Sequence, residues 1–377
     1  MPSTRHYDAH MKKHLKWLLE ITALPTAAGQ EWRVVDWIEH WASKQKGIKL
    51  RKDRFGNIVL SQIRSSIKKP IYITAHLDHP AFVVRKQIDE YQLEMEFRGG
   101  VNDAYFVGAK VEVFDNEDNG FIGTITSLDA KAKPCKRVVV KLQKGVVGIL
   151  AKNDVARWYF QPPIIKNGLL HAPACDDLAG VAAALSALDT IRKLPGLGHV
   201  GVLLTRAEEI GFVGAIAAAK NRTVPKNARL ICLETSRSFP ESPIDGGPIL
   251  RVGDKTSVFG PELTNAVCEI MNAQKNFKWQ RKLMPGGTCE STAFCAYGYV
   301  STCLCLALGN YHNMKDIDGV LKKNKPAKVA PEVISVDDYH GLIEMLKIVC
   351  RDLEKQRPAT LLKGLEARLK KYKKLLS

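Results

Sequence analysis

The chain has 377 residues, 45% of them hydrophobic and 25% charged, which suffices for a sizeable buried core and excludes a disordered or fibrous protein. Its formal net charge of +17 invites an acidic partner, but residues 351–377 alone hold nine Lys or Arg against three acids, about a third of the excess. The nine cysteines form no CxxC pair, and no run of eighteen apolar residues occurs beyond the polar, histidine-bearing Met1–Lys16 segment. The chain therefore reads as soluble, unexported and cytoplasmic, without a disulfide framework.

Amphipathic helices are predicted over Met11–Leu19 and Glu31–Trp41, parted by the breaker stretch Pro25–Gly29. His6, His10 and His14, spaced by four, could line one helix face as a metal site, although a polar face is the expected reading. Strands follow at Ile58–Ile63 and Ile71–Ala75, the second apolar enough to be buried on both faces of a sheet. From about Ala81 to Gly168 the pattern changes to short strands with turn punctuation, such as Lys110–Phe114 and Phe121–Thr126 around Asn119-Gly120. This stretch is expected to be an inserted all-β domain. Alternation then returns, with helices at Leu178–Leu188, Gly214–Lys220, Glu262–Ala273 and Val336–Leu353 and strands at Gly201–Thr205, Leu230–Glu234 and Val300–Leu306. The fold class is α/β, divided into a catalytic domain over 1–80 and 169–350, the insertion over 81–168, and a basic tail over 351–377. In that tail Leu361, Leu365, Leu369, Tyr372 and Leu376 recur at helical spacing. Packing of this stripe on its own protein or a sister subunit is expected, contact with a membrane or other acidic surface is the weaker alternative, and no specific nucleic-acid partner is expected.

Chemistry-bearing residues fall at the ends of the predicted strands, where open α/β sheets build their sites. His76 follows one strand, Asp176 and Asp177 open a helix, Glu208 and Glu209 follow a second strand, Glu234 ends a third, and His312 lies beyond a fourth. Each alone has an ordinary explanation. An Asp pair before a helix commonly caps it, and adjacent glutamates are common solvated surface. Their order along one chain is the signal: two histidines and several carboxylates suit zinc, with cobalt or manganese tolerable.

The tracts AHLDHP at 75–80, CDDLAG at 175–180, LTRAEEIGFVGA at 204–215, CLETS at 232–236, PGGTCESTAF at 285–294 and YHNM at 311–314 resemble the M42 glutamyl-type, TET-like aminopeptidases, within the wider M42/M28/M20 group of co-catalytic zinc peptidases. LLEITALPTAAGQEW, RFGNIVL at 54–60 and GGPILRVGDK at 246–255 extend the likeness over roughly residues 11 to 350. The resemblance implies a mixed-sheet zinc-peptidase catalytic domain sandwiched by helices, with a small β-barrel-like insertion of the dimerisation type. It implies two divalent metal ions, one held by His76, Asp176 and Glu234 and the other by Asp176, Glu209 and His312. Asp176 would bridge, standing four residues before Gly180, and Asp177 would shape a turn with a cis Asp-Asp bond.

The implied reaction removes N-terminal residues from peptides through a metal-activated water, with Glu208 as general base and Asp78 orienting His76. Gly287, Thr288 and Glu290 would border the substrate. The implied assembly is a homo-oligomer, from dimer to dodecamer. Glu234 stands where many members have Asp, His79 where an acid is usual, and Cys289 where Asp is frequent; His340 is a poor substitute for His312. Two other classes compete. One is a carboxypeptidase or N-acyl deacylase on the same scaffold, recognisable by a basic clamp for a substrate carboxylate. The other is an inactive binding or scaffold homologue.

Overall fold

In the computed structural model of the chain, which describes residues 9–63, 66–146, 148, 150–355 and 360–376, two helices come first, α1 (Ala9–Thr22) and α2 (Trp32–Ser43). His6 and the side chain of Leu361, both part of the spacings noted above, lie outside the described residues. Strands β1 (Ile48–Lys52), β2 (Ile58–Gln62) and β3 (Ile71–His76) follow. Next come β4 (Ala81–Gln87), β5 (Gln92–Arg98), β6 (Lys110–Phe114), β7 (Gly120–Asp129), β8 (Lys136–Leu142) and β9 (Val155–Trp158), which close into an antiparallel barrel in the order β4-β5-β8-β7-β6-β9. Closure leaves no unpaired edge, and the barrel is filled by an aromatic cluster in which Phe82, Phe97, Phe106 and Trp158 meet edge-on or tilted.

The short strands β10 (Ile164–Lys166) and β11 (Leu169–Ala172) lead into α3 (Leu178–Ile191). The second half continues with β12 (Val200–Thr205), α4 (Val213–Lys220), β13 (Arg229–Arg237), β14 (Ile249–Gly253), α5 (Pro261–Asn272), β15 (Gln280–Leu283), α6 (Glu290–Ala296) and β16 (Val300–Leu308). It ends with β17 (Met314–Lys315), α7 (Ile317–Leu321), β18 (Lys328–Val329), β19 (Glu332–Ser335), α8 (Val336–Asp352) and α9 (Thr360–Tyr372). β10, β11 and β19 form a small sheet apart from the barrel.

The main sheet has eight strands in the order β1-β2-β12-β3-β13-β16-β14-β15. Its centre, β12, β3, β13 and β16, is parallel, while β2 runs antiparallel to β12 and β14 runs antiparallel to β16 but parallel to the edge strand β15. Side chains alternate across a strand, and the two faces build two cores. Leu60, Ile73, Leu204, Ile231 and Leu304 point to the side packed with α1, α3, α5 and α8, whereas Val59, Leu203, Cys232, Cys303 and Cys305 point to the side covered by α4 and α6. Helix α3 is buried at every position but Thr190, which its run of alanines permits because small side chains let neighbouring backbones approach. The sheet is thus sandwiched by helices, with the barrel joined through β4 next to the end of β3.

In helix α9, Leu365, Leu369 and Tyr372 are 51%, 58% and 50% exposed, so the apolar stripe is left largely open within the single chain.

Candidate metal centre

The carboxyl ends of the four parallel strands converge on one point. β3 terminates at His76, which lies opposite Thr205, the last residue of β12, so that Glu208 and Glu209 emerge beside it. Glu234 sits on the neighbouring β13, and β16 runs into the short turn Tyr311–Asn313 that carries His312. Asp176 arrives from the other side, immediately before Asp177, the N-cap of α3; the peptide between them is cis. A Cβ at Gly180 would collide with the Asp177 carboxylate, which accounts for glycine at that position.

Asp176 stands between the two histidines. Its Oδ1 lies 3.5 Å from His76 Nε2, and its Oδ2 lies 3.3 Å from His312 Nε2. Glu234 Oε1 and Glu208 Oε2 are each 4.0 Å from His76 Nε2, and Glu209 Oε1 is 3.6 Å from His312 Nε2. Two ligand-like triads therefore share Asp176: His76, Asp176 and Glu234, and Asp176, Glu209 and His312. A third grouping, His76 with Glu208 and Glu209, overlaps both. Each imidazole turns Nδ1 away from the cluster, His76 towards the Asp78 carbonyl at 3.1 Å and His312 towards the Gly100 carbonyl at 2.7 Å. A carbonyl at Nδ1 fixes the proton there and leaves the Nε2 lone pair facing the cluster. Tyr311 stacks on the His312 ring at 3.8 Å.

The charge balance of this cluster calls for cations. Burial, followed by repulsion from neighbouring acids such as Asp176, pushes the carboxyls of Glu209 and Glu234 well above their usual range. Glu208 is likewise pushed well up by burial and by Asp78, although His76 opposes the shift. Burial opposes ionisation of Asp176, yet His312 and His76 hold its carboxyl well below the ordinary value. Asp176 Oδ1 is buried without a hydrogen-bond partner in range. So many buried carboxylates with only two imidazoles are an unfavourable arrangement unless positive charge is shared among them. Nitrogen and oxygen donors in two triads around one shared acid fit a pair of divalent ions of the zinc, cobalt or manganese type.

Buried groups around the cluster hold it in place. The Asp78 carboxylate accepts the backbone N–H of Glu208 at 2.9 Å and of Glu209 at 3.0 Å. Its oxygen is 3.5 Å from His76 Nδ1, so Asp78 acts on the glutamate pair more directly than on the imidazole that sequence reasoning assigned to it. Ala207, just before the pair, has a left-handed φ of 53°, and Glu31 accepts its N–H at 3.0 Å while pairing with Arg206. His79 bridges the Asp176 carbonyl, 2.5 Å from Nδ1, and the Asn313 side-chain oxygen, 3.0 Å from Nε2. Neither Glu31 nor Glu332, whose bonds are described below, was singled out in the sequence, because nothing in their spacing separates them from ordinary acids.

Beside the cluster lies a cavity of about 210 Å³ bordered by Glu234, Phe239, Arg251, Met284 and Met314 together with Gly287 and Thr288. Glu290 does not line it. It is buried beneath the centre, where Thr205 donates to it at 2.5 Å, and burial, with His76 opposing, raises its carboxyl to about 7. Arg251 is 3% exposed and donates to Ser236 Oγ at 3.2 Å and the Gly287 carbonyl at 3.0 Å, with Nε left unpartnered. Among the described residues no carboxylate lies within ion-pair distance of it. His340 belongs to α8 and to none of the ligand triads. His10 and His14 meet Asp189 in a further triad, but Lys13, Arg192 and Lys193 reach the same carboxylate at 2.5, 2.8 and 3.1 Å, so ammonium and guanidinium groups already occupy it.

The chain matches the M42 glutamyl aminopeptidase family over residues 56–320, and it belongs to that family, one of metal-dependent peptide hydrolases. No curated protein sequence matches it. Among solved structures it resembles the TET1 peptidase of Pyrococcus horikoshii, which can assemble into a tetrahedron or a large octahedral shell (18% identity, 90% of this chain and 99% of that one, TM-score 0.71). It also resembles an aminopeptidase from Desulfurococcus kamchatkensis (20% identity, 92% and 96%, TM-score 0.71). A TET aminopeptidase from a marine-sediment Thaumarchaeota archaeon is similar as well (16% identity, 92% and 99%, TM-score 0.73). At these identities the likeness establishes the fold. Among the described residues no helix is long and apolar enough to cross a membrane.

Proposed function

We propose that this chain is a two-metal aminopeptidase that releases N-terminal residues from peptides. His76, Asp176 and Glu234 would hold one divalent ion and Asp176, Glu209 and His312 the other. The observation that carries this reading is the two-sided placement of Asp176, one oxygen towards each histidine. When bound, such a pair of ions, zinc by preference and cobalt or manganese as alternatives, lowers the pKa of a water and polarises the scissile carbonyl.

Glu208 belongs to neither shared triad, yet it lies at the edge of the cluster with its carboxyl pushed up by burial. A carboxylate so placed can take a proton from the attacking water and return it to the leaving amine. Asp78 holds Glu208 and Glu209 by their backbone N–H groups, so that one glutamate carries protons while its neighbour serves as ligand. Gly287 and Thr288 would border the substrate.

The buried, unpaired Arg251 favours an acidic side chain in the adjoining cavity, since a guanidinium pairs with a carboxylate through two parallel bonds. The same residue also supports a second reading, a carboxypeptidase, in which Arg251 would clamp a terminal carboxylate. A panel of aminoacyl chromogens, N-blocked peptides and peptides with free C-termini, assayed with and without chelator and metal re-addition, separates the two. The first reading expects metal-dependent release from glutamyl and aspartyl chromogens, and N-blocked peptides left intact.

The assembly of the TET1 relative supports a homo-oligomer; the insertion over 81–168 is proposed as its dimerisation element, beside a catalytic domain formed by 1–80 and 169–350. The nine cysteines are all unpaired, which suits a reducing cytoplasm.

A further inference from the structure

We infer that Glu332 is a positioning residue that couples the bridging acid to the second metal's histidine, an inference that rests on the two-metal reading above. Glu332 opens β19 and pairs in register with Ala172 on β11, a few residues before Asp176. It is fully buried. Its Oε2 accepts the backbone N–H groups of Cys175 at 2.7 Å and Asp176 at 3.0 Å, and its Oε1 accepts that of His312 at 2.8 Å. One carboxylate thus ties together two loops that are distant in sequence and that each bring a ligand of the second site.

The choice of a carboxylate is informative. Among the described residues no cation lies within ion-pair distance of Glu332, and backbone N–H donors meet both of its oxygens. Glutamine would fill the same volume. It offers one acceptor and one NH₂ group, however, and the NH₂ would face an N–H donor at one end. Only a carboxylate accepts at both ends. The clamp also falls on a residue that needs holding: His312 has φ 53° and ψ 37°, the left-handed region that side chains other than glycine seldom adopt. A second strut runs in parallel, because Asn313 donates to the Pro173 carbonyl at 2.9 Å and meets His79, which in turn meets Asp176. Loss of Glu332 should therefore loosen His312 rather than release it.

The test is equilibrium dialysis of the full chain against a graded series of buffered Zn²⁺, with bound metal counted per chain, for wild type, Glu332→Gln and Glu332→Asp, and with folding followed by circular dichroism. In Glu332→Gln the cheaper orientation keeps the Cys175 and Asp176 bonds and turns NH₂ towards His312. In Glu332→Asp the shorter arm loses the same contact while keeping two oxygen acceptors. Both variants are expected to bind the first equivalent as wild type does and the second about 10- to 100-fold more weakly. Unchanged binding of both equivalents, equal weakening of both, or unfolding of both variants overturns the inference and leaves the two-metal reading standing. Fewer than two equivalents on wild type removes that reading and the inference with it.

Discussion

The backbone N–H of Glu208 donates to Oδ1 of Asp78 across 2.9 Å, and Oδ2 of the same carboxylate receives the N–H of Glu209. A residue two positions past the end of one parallel strand thereby sets the path of the loop that leaves its neighbour. In Asp78→Asn, one of these N–H groups faces an NH₂ instead of an acceptor. The expected outcome is a fall in kcat of about 10- to 100-fold with metal content largely retained, checked by steady-state kinetics and elemental analysis of the same preparation.

Glu208 and Asp176 should separate chemistry from metal binding. Glu208→Gln keeps the shape of the loop and removes the proposed proton carrier, so metal content is expected to stay while kcat drops by about 10²- to 10⁴-fold. Asp176→Ala removes the acid placed between the two histidines and should lose metal. A Glu208→Gln protein that turns over normally would contradict the role given to Glu208.

Arg251 should control selectivity. Replacing it with methionine removes the buried guanidinium beside the cavity, and kcat/KM for a glutamyl chromogen is expected to fall about 100-fold, in keeping with the loss of a buried charge pair. A leucyl chromogen should change by less than about tenfold. Parallel loss on both substrates would assign Arg251 to holding Gly287 and Ser236 in place.

Asp189 offers a test of stability remote from the metals. Burial opposes its ionisation, but hydrogen bonds from His14, Lys13, Arg192 and Lys193 hold the carboxyl well below the usual carboxylate range. A depressed folded-state value means the stabilisation is fully present above the unfolded value of about 3.9 and is lost as pH falls towards the folded one. Asp189→Asn should therefore cost about 1–3 kcal/mol at pH 6, and the difference from wild type should shrink steadily below pH 4. Urea unfolding of both proteins in chelator, at pH 6 and pH 3, measures it.

The central strands and the placing of acids and histidines at their ends were legible in the sequence because both depend on local pattern. Ile71–Ala75 is an apolar run, and His76 sits at its end whatever the rest of the chain does. Side-chain support was not legible. Glu31 reaches Ala207 across 176 positions and Glu332 reaches Asp176 across 156, distances over which periodicity carries no information. Strand β14, lying within GGPILRVGDK, and the short helix α6 also escaped prediction: one is framed by glycines, and the other is too brief to show a 3.6-residue period. The basic tail shows the opposite limit. Its spacing reads as an amphipathic helix and the chain is helical over Thr360–Tyr372, yet spacing cannot say what the stripe meets, and Leu365 and Leu369 are 51% and 58% exposed. Changing both to Asp should accordingly leave the melting temperature of the catalytic body unchanged.

The reading stands or falls on metal at Asp176. Metal bound per chain, measured on the purified protein together with hydrolysis of an aminoacyl panel before chelation, after chelation and after re-addition of Zn²⁺, tests it most directly. The account expects two equivalents of divalent metal, activity lost with the chelator and regained with the ions. Full activity in metal-free protein would contradict it.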